Sequence, residues 1–281
     1  MAAAVLLVLF DRALMAYRWV VLLCTVDPAL RPALGAVLRI FFVSSFVGTF
    51  LPASVGGDAV RAFSLARLNV RGGDAVASVF MDRILGVASL LLMALIGLPL
   101  AREIAARTPI LTALAAAGGL CVLTMLLIFS PRSARIAAGY IERLPFAAVR
   151  EGGHRLLESI RKYSAYPRQL ITVLVCSMAV QVLRIVQGYY LGRGLGIDLP
   201  LTIYFALVPF ILLVMLLPVT FNGIGTSQAA FVWFFAQAGV DAAAAFALSV
   251  LFVALGIIGN LPGGVLYAFG HRQLDVDRVR S

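Results

Sequence analysis

The stretch Phe50-Leu51-Pro52-Ala53-Ser54-Val55-Gly56-Gly57-Asp58-Ala59-Val60-Arg61 decides how this chain is read. It separates two apolar segments, Val37–Phe50 and Ala59–Leu68, each shorter than the roughly 20 residues a helix needs to cross a bilayer. Pro52 removes a backbone donor and disfavours helix at Leu51. Gly56 and Gly57 permit dihedrals closed to other residues. The expected element is helix, break, helix. Irregular backbone at membrane depth survives only where protein or a water-filled cavity satisfies its polar groups, so the break points to a site.

A second stretch repeats the pattern. Leu217-Pro218-Val219-Thr220-Phe221-Asn222-Gly223-Ile224-Gly225-Thr226-Ser227-Gln228 follows the apolar run Leu201–Leu217. Pro52 and Pro218 are 166 residues apart, as are Gly57 and Gly223; Asp74 and Asp241 are 167 apart. Two interrupted apolar segments at matching positions are a sequence pointer to a transporter's binding site. The plainer alternative is that Pro and Gly only end helices between loops.

Composition sets the class. Hydrophobic residues make up 62% and charged residues 13% of the 281, against about 25% charged in a soluble domain. Mean hydropathy is +1.01. The reading is an all-α polytopic membrane protein forming a single transmembrane domain over residues 1–281. The apolar runs do not alternate, which argues against a β-barrel. The net charge of +10 is almost all arginine, with Lys162 the only lysine. It suggests cytoplasmic loops and anionic headgroups, not nucleic acid. Cys24, Cys121 and Cys176 lie far apart in apolar runs, and His154 and His271 in polar stretches. No metal or cofactor motif can be assembled from them. No nucleophile elbow, Walker loop or dinucleotide fingerprint is present, so no enzymatic activity is expected, the alternative being a membrane-embedded transferase that uses Asp58 or Asp82 as base.

Read in order, a first helix covers Ala2–Val26, with Met1–Phe10 retained instead of cleaved as a leader. Arg18-Trp19 would mark an interface. Ala75–Leu98 and Ile110–Phe129 cross. Ser130–Arg168 carries eight basic against three acidic residues and is expected in the cytoplasm, with an amphipathic surface helix near Arg150–Tyr163. Leu170–Leu191 and Ala242–Phe269 cross, which returns the C-terminal tail to the cytoplasm. Three crossings then separate the two hairpins. An odd number makes the halves, about 35–129 and 166–270, inverted repeats with re-entrant tips that meet near the midplane.

Charges held in apolar segments mark candidate contacts. Asp58 and Arg61 share a helix face and can pair locally. Asp82 and Arg83 are adjacent, point apart and should reach other helices; Asp82 can neutralise Arg61. Gln181, Arg184 and Gln187 form a polar stripe expected to line a cavity. Asn222, Thr226, Ser227 and Gln228 supply uncharged hydrogen-bonding groups. Tyr189, Tyr190, Phe205, Phe231, Trp233, Phe234 and Phe235 read as lipid-facing packing or interfacial anchors.

With these residues in view, the chain resembles the membrane domain of the lysylphosphatidylglycerol synthase/flippase-like family. The resemblance is carried by Leu51-Pro52-Ala53-Ser54-Val55-Gly56-Gly57-Asp58-Ala59-Val60-Arg61, by Ser78-Val79-Phe80-Met81-Asp82-Arg83, by Leu217-Pro218 with Asn222-Gly223-Ile224-Gly225, and by Leu261-Pro262-Gly263-Gly264. It covers nearly the whole chain. It implies movement of a polar-headed, anionic phospho- or glycolipid between leaflets of a bacterial inner membrane. The alternative is a non-transporting subunit that scaffolds a separate lipid-modifying or glycosyl-transferring enzyme. Two departures are visible: family members commonly carry one more N-terminal helix, and Gln228 stands where many have an acid. The soluble synthase domain is not in this sequence, so aminoacyl transfer is not expected of it. On the transport reading Arg61, Arg83 and Arg184 compensate phosphate, Asp58 and Asp82 hold those arginines when the site is empty, and Pro52, Gly56, Gly57, Pro218, Gly223 and Gly225 supply broken backbone.

Overall fold

A computed structural model describes residues 2–26, 33–51, 55–68, 70–97, 99, 119, 123, 126, 130–143, 145–216 and 224–279. Pro52, Pro218, Asn222, Gly223 and most of the crossing expected over Ile110–Phe129 lie outside them. The described residues form helices: α1 Ala2–Val26, α2 Leu34–Phe50, α3 Val55–Ala66, α4 Gly72–Gly97, α5 Pro131–Glu142, α6 Ala147–Lys162, α7 Pro167–Gly194, α8 Leu201–Met215, α9 Thr226–Ala236 and α10 Ala242–Val279. The chain is an all-α polytopic membrane protein. Gly72–Gly97, Pro167–Gly194 and Ala242–Phe269 are each long and apolar enough to cross a bilayer. α1 has the length, at 25 residues, but carries Asp11, Arg12 and Arg18.

α2 and α3 fold back on each other as a hairpin, and the glycines explain how. A side chain at Gly57 would come within 2.8 Å of the Ser44 carbonyl oxygen and 3.1 Å of Gly48 Cα. The two backbones therefore meet across small residues, Ser44 and Gly48 one turn apart on α2 and Gly57 on α3, as small-residue helix pairs do in membranes. Gly56 and Gly57 thus serve close approach; neither takes the left-handed backbone expected of them, and Gly56 lies against the Leu51 side chain. At the second break Gly225 does take a positive φ, of 97°. There Gln228 turns back so that its Oε1 accepts from the Gly225 N–H, which caps α9.

The Leu261-Pro262-Gly263-Gly264 motif also has a packing explanation. A Cβ at Gly263 would meet the Phe42 carbonyl oxygen at 1.9 Å, and Gly264 faces the Phe46 ring. α10 continues through Pro262 and presses onto α2. At the end of α4, a Cβ on Gly97 would meet the Phe205 carbonyl oxygen at 2.5 Å, so α4 presses onto α8. Gly97 and Gly263 are 166 residues apart.

Among the described residues, if α1–α4 are exchanged with α7–α10, each substantial contact between those eight helices maps onto another. α2 packs on α10 as α8 packs on α4; α1 on α10 as α7 on α4; α1 on α4 as α7 on α10; α1 on α2 as α7 on α8. The hairpins α2–α3 and α8–α9 correspond, as do α3–α4 and α9–α10, and α1 packs on α7, its own counterpart.

The polar region 130–168, expected as a loop with one surface helix, holds two helices. Ser130 caps α5 by accepting from the Ser133 N–H, with Pro131 opening the helix. α6 returns against it with Ile141 over Gly153. It docks on α4 through Lys162, 2.9 Å from Asp74, and through the buried Tyr163. Burial raises the Tyr163 phenol above its ordinary pKa, so it stays protonated and donates to the Leu22 carbonyl at 3.4 Å.

Candidate functional site

Charges in an apolar bundle must pair or face a cavity; here one cluster does the first and another the second. In the closed cluster Asp82 of α4 sits 2.7 Å from Arg18 Nε of α1 and 3.4 Å from Arg61 Nη1 of α3. All three side chains are buried. Arg61 Nε also donates to Ser44 Oγ at 3.4 Å, and its guanidinium lies 4.7 Å from the Phe41 ring and 5.1 Å from Trp19. Arg18 Nη1 donates to Ser177 Oγ of α7 at 2.9 Å. Apolar walls from Trp19, Phe41 and Leu65 enclose the cluster.

The pairing corrects two expectations. Asp58 and Arg61 do not form the local i, i+3 pair. Asp58 binds Arg83 at 2.6 Å, and Arg61 binds Asp82. The two charges of α3 thus pair with Asp82 and Arg83 of α4 across the helices, because adjacent Asp82 and Arg83 project about 100° apart and meet different residues of α3. Arg18 and Trp19 are not interfacial either: Trp19 is 0% and Arg18 4% exposed. Asp82 compensates Arg18 inside, so it need not snorkel. Of the aromatics, Phe231, Phe234 and Phe235 are buried in the core around Tyr204 and Phe252, whereas Tyr190 and Trp233 are exposed. The buried ring face belongs to the second hairpin's packing, with Phe210 stacked on Phe234 at 6.1 Å.

The open cluster lies between α1, α7, α8 and α10. Arg184 Nε is 3.2 Å from Asp11 Oδ1, and Arg12 Nη1 is 3.8 Å from the other Asp11 oxygen. Arg12 Nη2 donates to the Gly256 carbonyl at 3.2 Å. These groups border a cavity of about 150 Å³ together with Gln187 and Asn260, and with Leu212, Met215 and Phe252 as apolar wall. Two arginines face one carboxylate, which leaves an excess of one positive charge. Arg12 Nε and Asn260 Oδ1 are buried there without a protein hydrogen-bond partner, although the Asn260 amide donates to Thr49 at 2.8 Å. Such orphaned groups favour a ligand that supplies an anion and a donor.

The Gln181–Arg184–Gln187 stripe is therefore split. Arg184 and Gln187 line the cavity, whereas Gln181 is buried toward α4 and donates to Ser89 at 3.2 Å. Three residues at spacing three advance 60° per step around a helix, enough to reach different neighbours. Gln228 is half-buried as a helix cap and does not reach the cavity lining. Asp11, Arg12 and Asn260 were not among the sequence candidates. Their signal was present: an adjacent acid and base inside an apolar helix, and an amide one residue before the Leu261-Pro262-Gly263-Gly264 motif.

α1 and α7 carry the 166-residue offset at side-chain level. Arg18 and Arg184 are 166 apart, and so are Asp11 and Ser177. Arg18 contacts Ser177, and Arg184 contacts Asp11. Exchanging the two helices turns one contact into the other. The pairs 18 with 177 and 11 with 184 run in opposite directions along the chain, so the helices cross antiparallel.

No curated protein and no solved structure matches the chain. The chain is a helical membrane bundle with arginines turned inward, and it is the family comparison that points to a membrane protein involved in lipid handling. Residues 1–263 match the family described as the lysylphosphatidylglycerol synthase TM region, and the chain belongs to that family.

Proposed function

We propose that the chain moves a polar-headed lipid, an anionic phospho- or glycolipid, between the leaflets of its membrane without hydrolysing ATP itself. The observation that carries this reading is the arginine-lined cavity between α1, α7, α8 and α10. At about 150 Å³ it takes a small charged headgroup; ligand pockets that enclose whole drug-sized molecules run to about 300–1,000 Å³. The acyl chains stay in the bilayer. Arg184 and Arg12 meet the phosphate charge, Asp11 holds both when the site is empty, and Gln187 and Asn260 contact the polar remainder.

The two halves are read as an inverted repeat. A two-fold axis perpendicular to a helix pair makes the partners antiparallel; an axis along the helices makes them parallel. The antiparallel exchange of Arg18–Ser177 with Asp11–Arg184 favours the first, which lies in the membrane plane. On that reading the cytoplasm holds α5, α6 and the C-terminal tail.

The test is leaflet exchange of labelled lipids in proteoliposomes made from the host's own lipid extract. Wild type accelerates exchange, and Arg184→Ala loses the acceleration while the protein still inserts. Wild-type rates in Arg184→Ala would remove the cavity from the mechanism.

A second reading, a scaffold for a separate lipid-modifying or glycosyl-transferring enzyme, draws on α5 and α6. Ile136, Tyr140, Phe146 and Val149 are exposed there among Arg132, Arg135, Arg143 and Arg150. A transferase that co-purifies with the chain and is lost on Tyr140→Glu with Phe146→Glu would favour it.

A further inference from the structure

The exchange of halves also relates the two charge clusters. The cavity is walled by α1, α7, α8 and α10. Swapping the halves turns that set into α7, α1, α2 and α4. Those four helices supply Ser177, Arg18, Ser44 and Asp82 of the closed cluster, with Arg61 added from α3. Each cluster has two arginines against one aspartate. One arginine is common to both by position, since Arg18 is the counterpart of Arg184. The carboxylates differ in origin: Asp82 comes from α4, whereas Asp11 comes from α1. One cluster is open to a cavity, and the other is sealed, with its arginines drawn onto Asp82, Ser44 and the rings of Trp19 and Phe41.

We infer that the Arg18–Arg61–Asp82 cluster is a second headgroup-phosphate site, the closed counterpart of the Arg12–Arg184–Asp11 cavity, and that one opens as the other closes. The inference rests on the lipid-translocation reading. Transporters built on inverted repeats alternate between two conformations related by exchange of the halves, and on the translocation reading the structure holds one of them. In the other, Asp82 lets go of Arg18 and Arg61, which then face a cavity lined by α2 and α4. A lipid phosphate replaces Asp82 as their partner. Meanwhile α10 and α8 close on Arg184, whose charge Asp11 retains. Asp82 is thus the latch of the closed site, and the headgroup passes from one arginine pair to the other.

The experiment reads mixed-disulfide formation at cysteine by a small water-soluble methanethiosulfonate, which releases methanesulfinate, in proteoliposomes with Cys24, Cys121 and Cys176 replaced by alanine. Val253→Cys reports the open cavity and Ser44→Cys the closed cluster. In the otherwise native chain Val253→Cys reacts fast and Ser44→Cys slowly. Adding Asp82→Asn raises the Ser44→Cys rate by about tenfold and lowers the Val253→Cys rate by a comparable factor, because one equilibrium governs both. A rise at Ser44→Cys with no fall at Val253→Cys is local loosening and overturns the inference, as does no change at either. Arg61→Lys keeps the charge and serves if Asp82→Asn fails to fold. In the Asp82→Asn background, nanodiscs of phosphatidylglycerol slow labelling at Ser44→Cys relative to phosphatidylcholine; equal rates would overturn its assignment to an anionic lipid. Lipid exchange without reciprocal labelling removes this inference alone. Reciprocal labelling without lipid exchange removes the translocation reading and keeps the paired sites.

Discussion

Removing Asp82 strands two arginines, and the cost follows from the burial of the cluster. At an effective dielectric of about 20, unit charges about 3 Å apart attract by about 5–6 kcal/mol, largely offset by the desolvation of each ion. Neutralising the shared partner leaves that desolvation uncompensated. Breaking a buried pair costs about 3–5 kcal/mol. Asp82→Asn should therefore lower the thermal midpoint in detergent by about 6–20 °C, at about 2–4 °C per kcal/mol for a chain of this order of size. Asp58→Asn is the internal control. Its partner Arg83 has 41% of its side chain exposed, so Asp58→Asn strands one partly exposed arginine where Asp82→Asn strands two buried ones, and it should cost less. The assay follows midpoints by intrinsic fluorescence, to which Trp19 reports directly because it lies against Arg61. A triple replacement, Arg18→Met, Arg61→Met and Asp82→Leu, removes all three charges together and should recover most of the loss. Equal shifts for Asp82→Asn and Asp58→Asn, or a triple variant less stable than Asp82→Asn alone, would refute the reasoning.

Three further outcomes test the packing and the caps. Gly97→Ala and Gly263→Ala drive a Cβ into the Phe205 and Phe42 carbonyl oxygens and should each cost about 1–3 kcal/mol, whereas Gly35→Ala, with open space around it, should be neutral in the same thermal assay. Gln228→Ala removes the acceptor for the Gly225 N–H and should cost about 0.5–2 kcal/mol, while Gln228→Glu keeps the acceptor at a helix N-terminus and should be tolerated. Lys162→Met cuts the tie to Asp74 and should speed proteolysis within residues 143–150, measured as a cleavage rate, without changing cleavage elsewhere.

The membrane class, the two interrupted segments and the 166-residue offset were legible because each leaves a mark in one dimension: long apolar runs, and Pro and Gly at fixed separation. Partner choice was legible only in part: Asp82 reads from the sequence as a partner for Arg61, and they pair, but the Asp58–Arg83 and Arg18–Asp82 contacts were not foreseen. Asp58 and Arg61 are close in sequence and suit each other, yet Arg83 and Asp82 win them, because helix packing sets which side chains meet. Arg18 looked like an interfacial anchor for the same reason, since its partner Asp82 is 64 residues away in the chain. Gly57 was read for its backbone freedom and turned out to matter for the absence of a side chain, a property of the neighbouring helix more than of its own. The cavity drew two residues of the polar stripe read from the sequence, Arg184 and Gln187, and missed Asp11 and Arg12, whose adjacency reads as a simple interruption of α1 until α7 is packed against it.

The claim that matters most is that a lipid headgroup crosses at the arginine cavity. Leaflet exchange of labelled anionic lipid tests it when wild type, Arg12→Ala with Arg184→Ala, and Arg193→Ala are compared at matched insertion and thermal midpoint. Arg193 is exposed and pairs with Asp198 away from the cavity. The prediction is fast exchange in wild type and Arg193→Ala, and a background rate in the double variant. Fast exchange that survives loss of both cavity arginines, or background exchange in wild type, would contradict it.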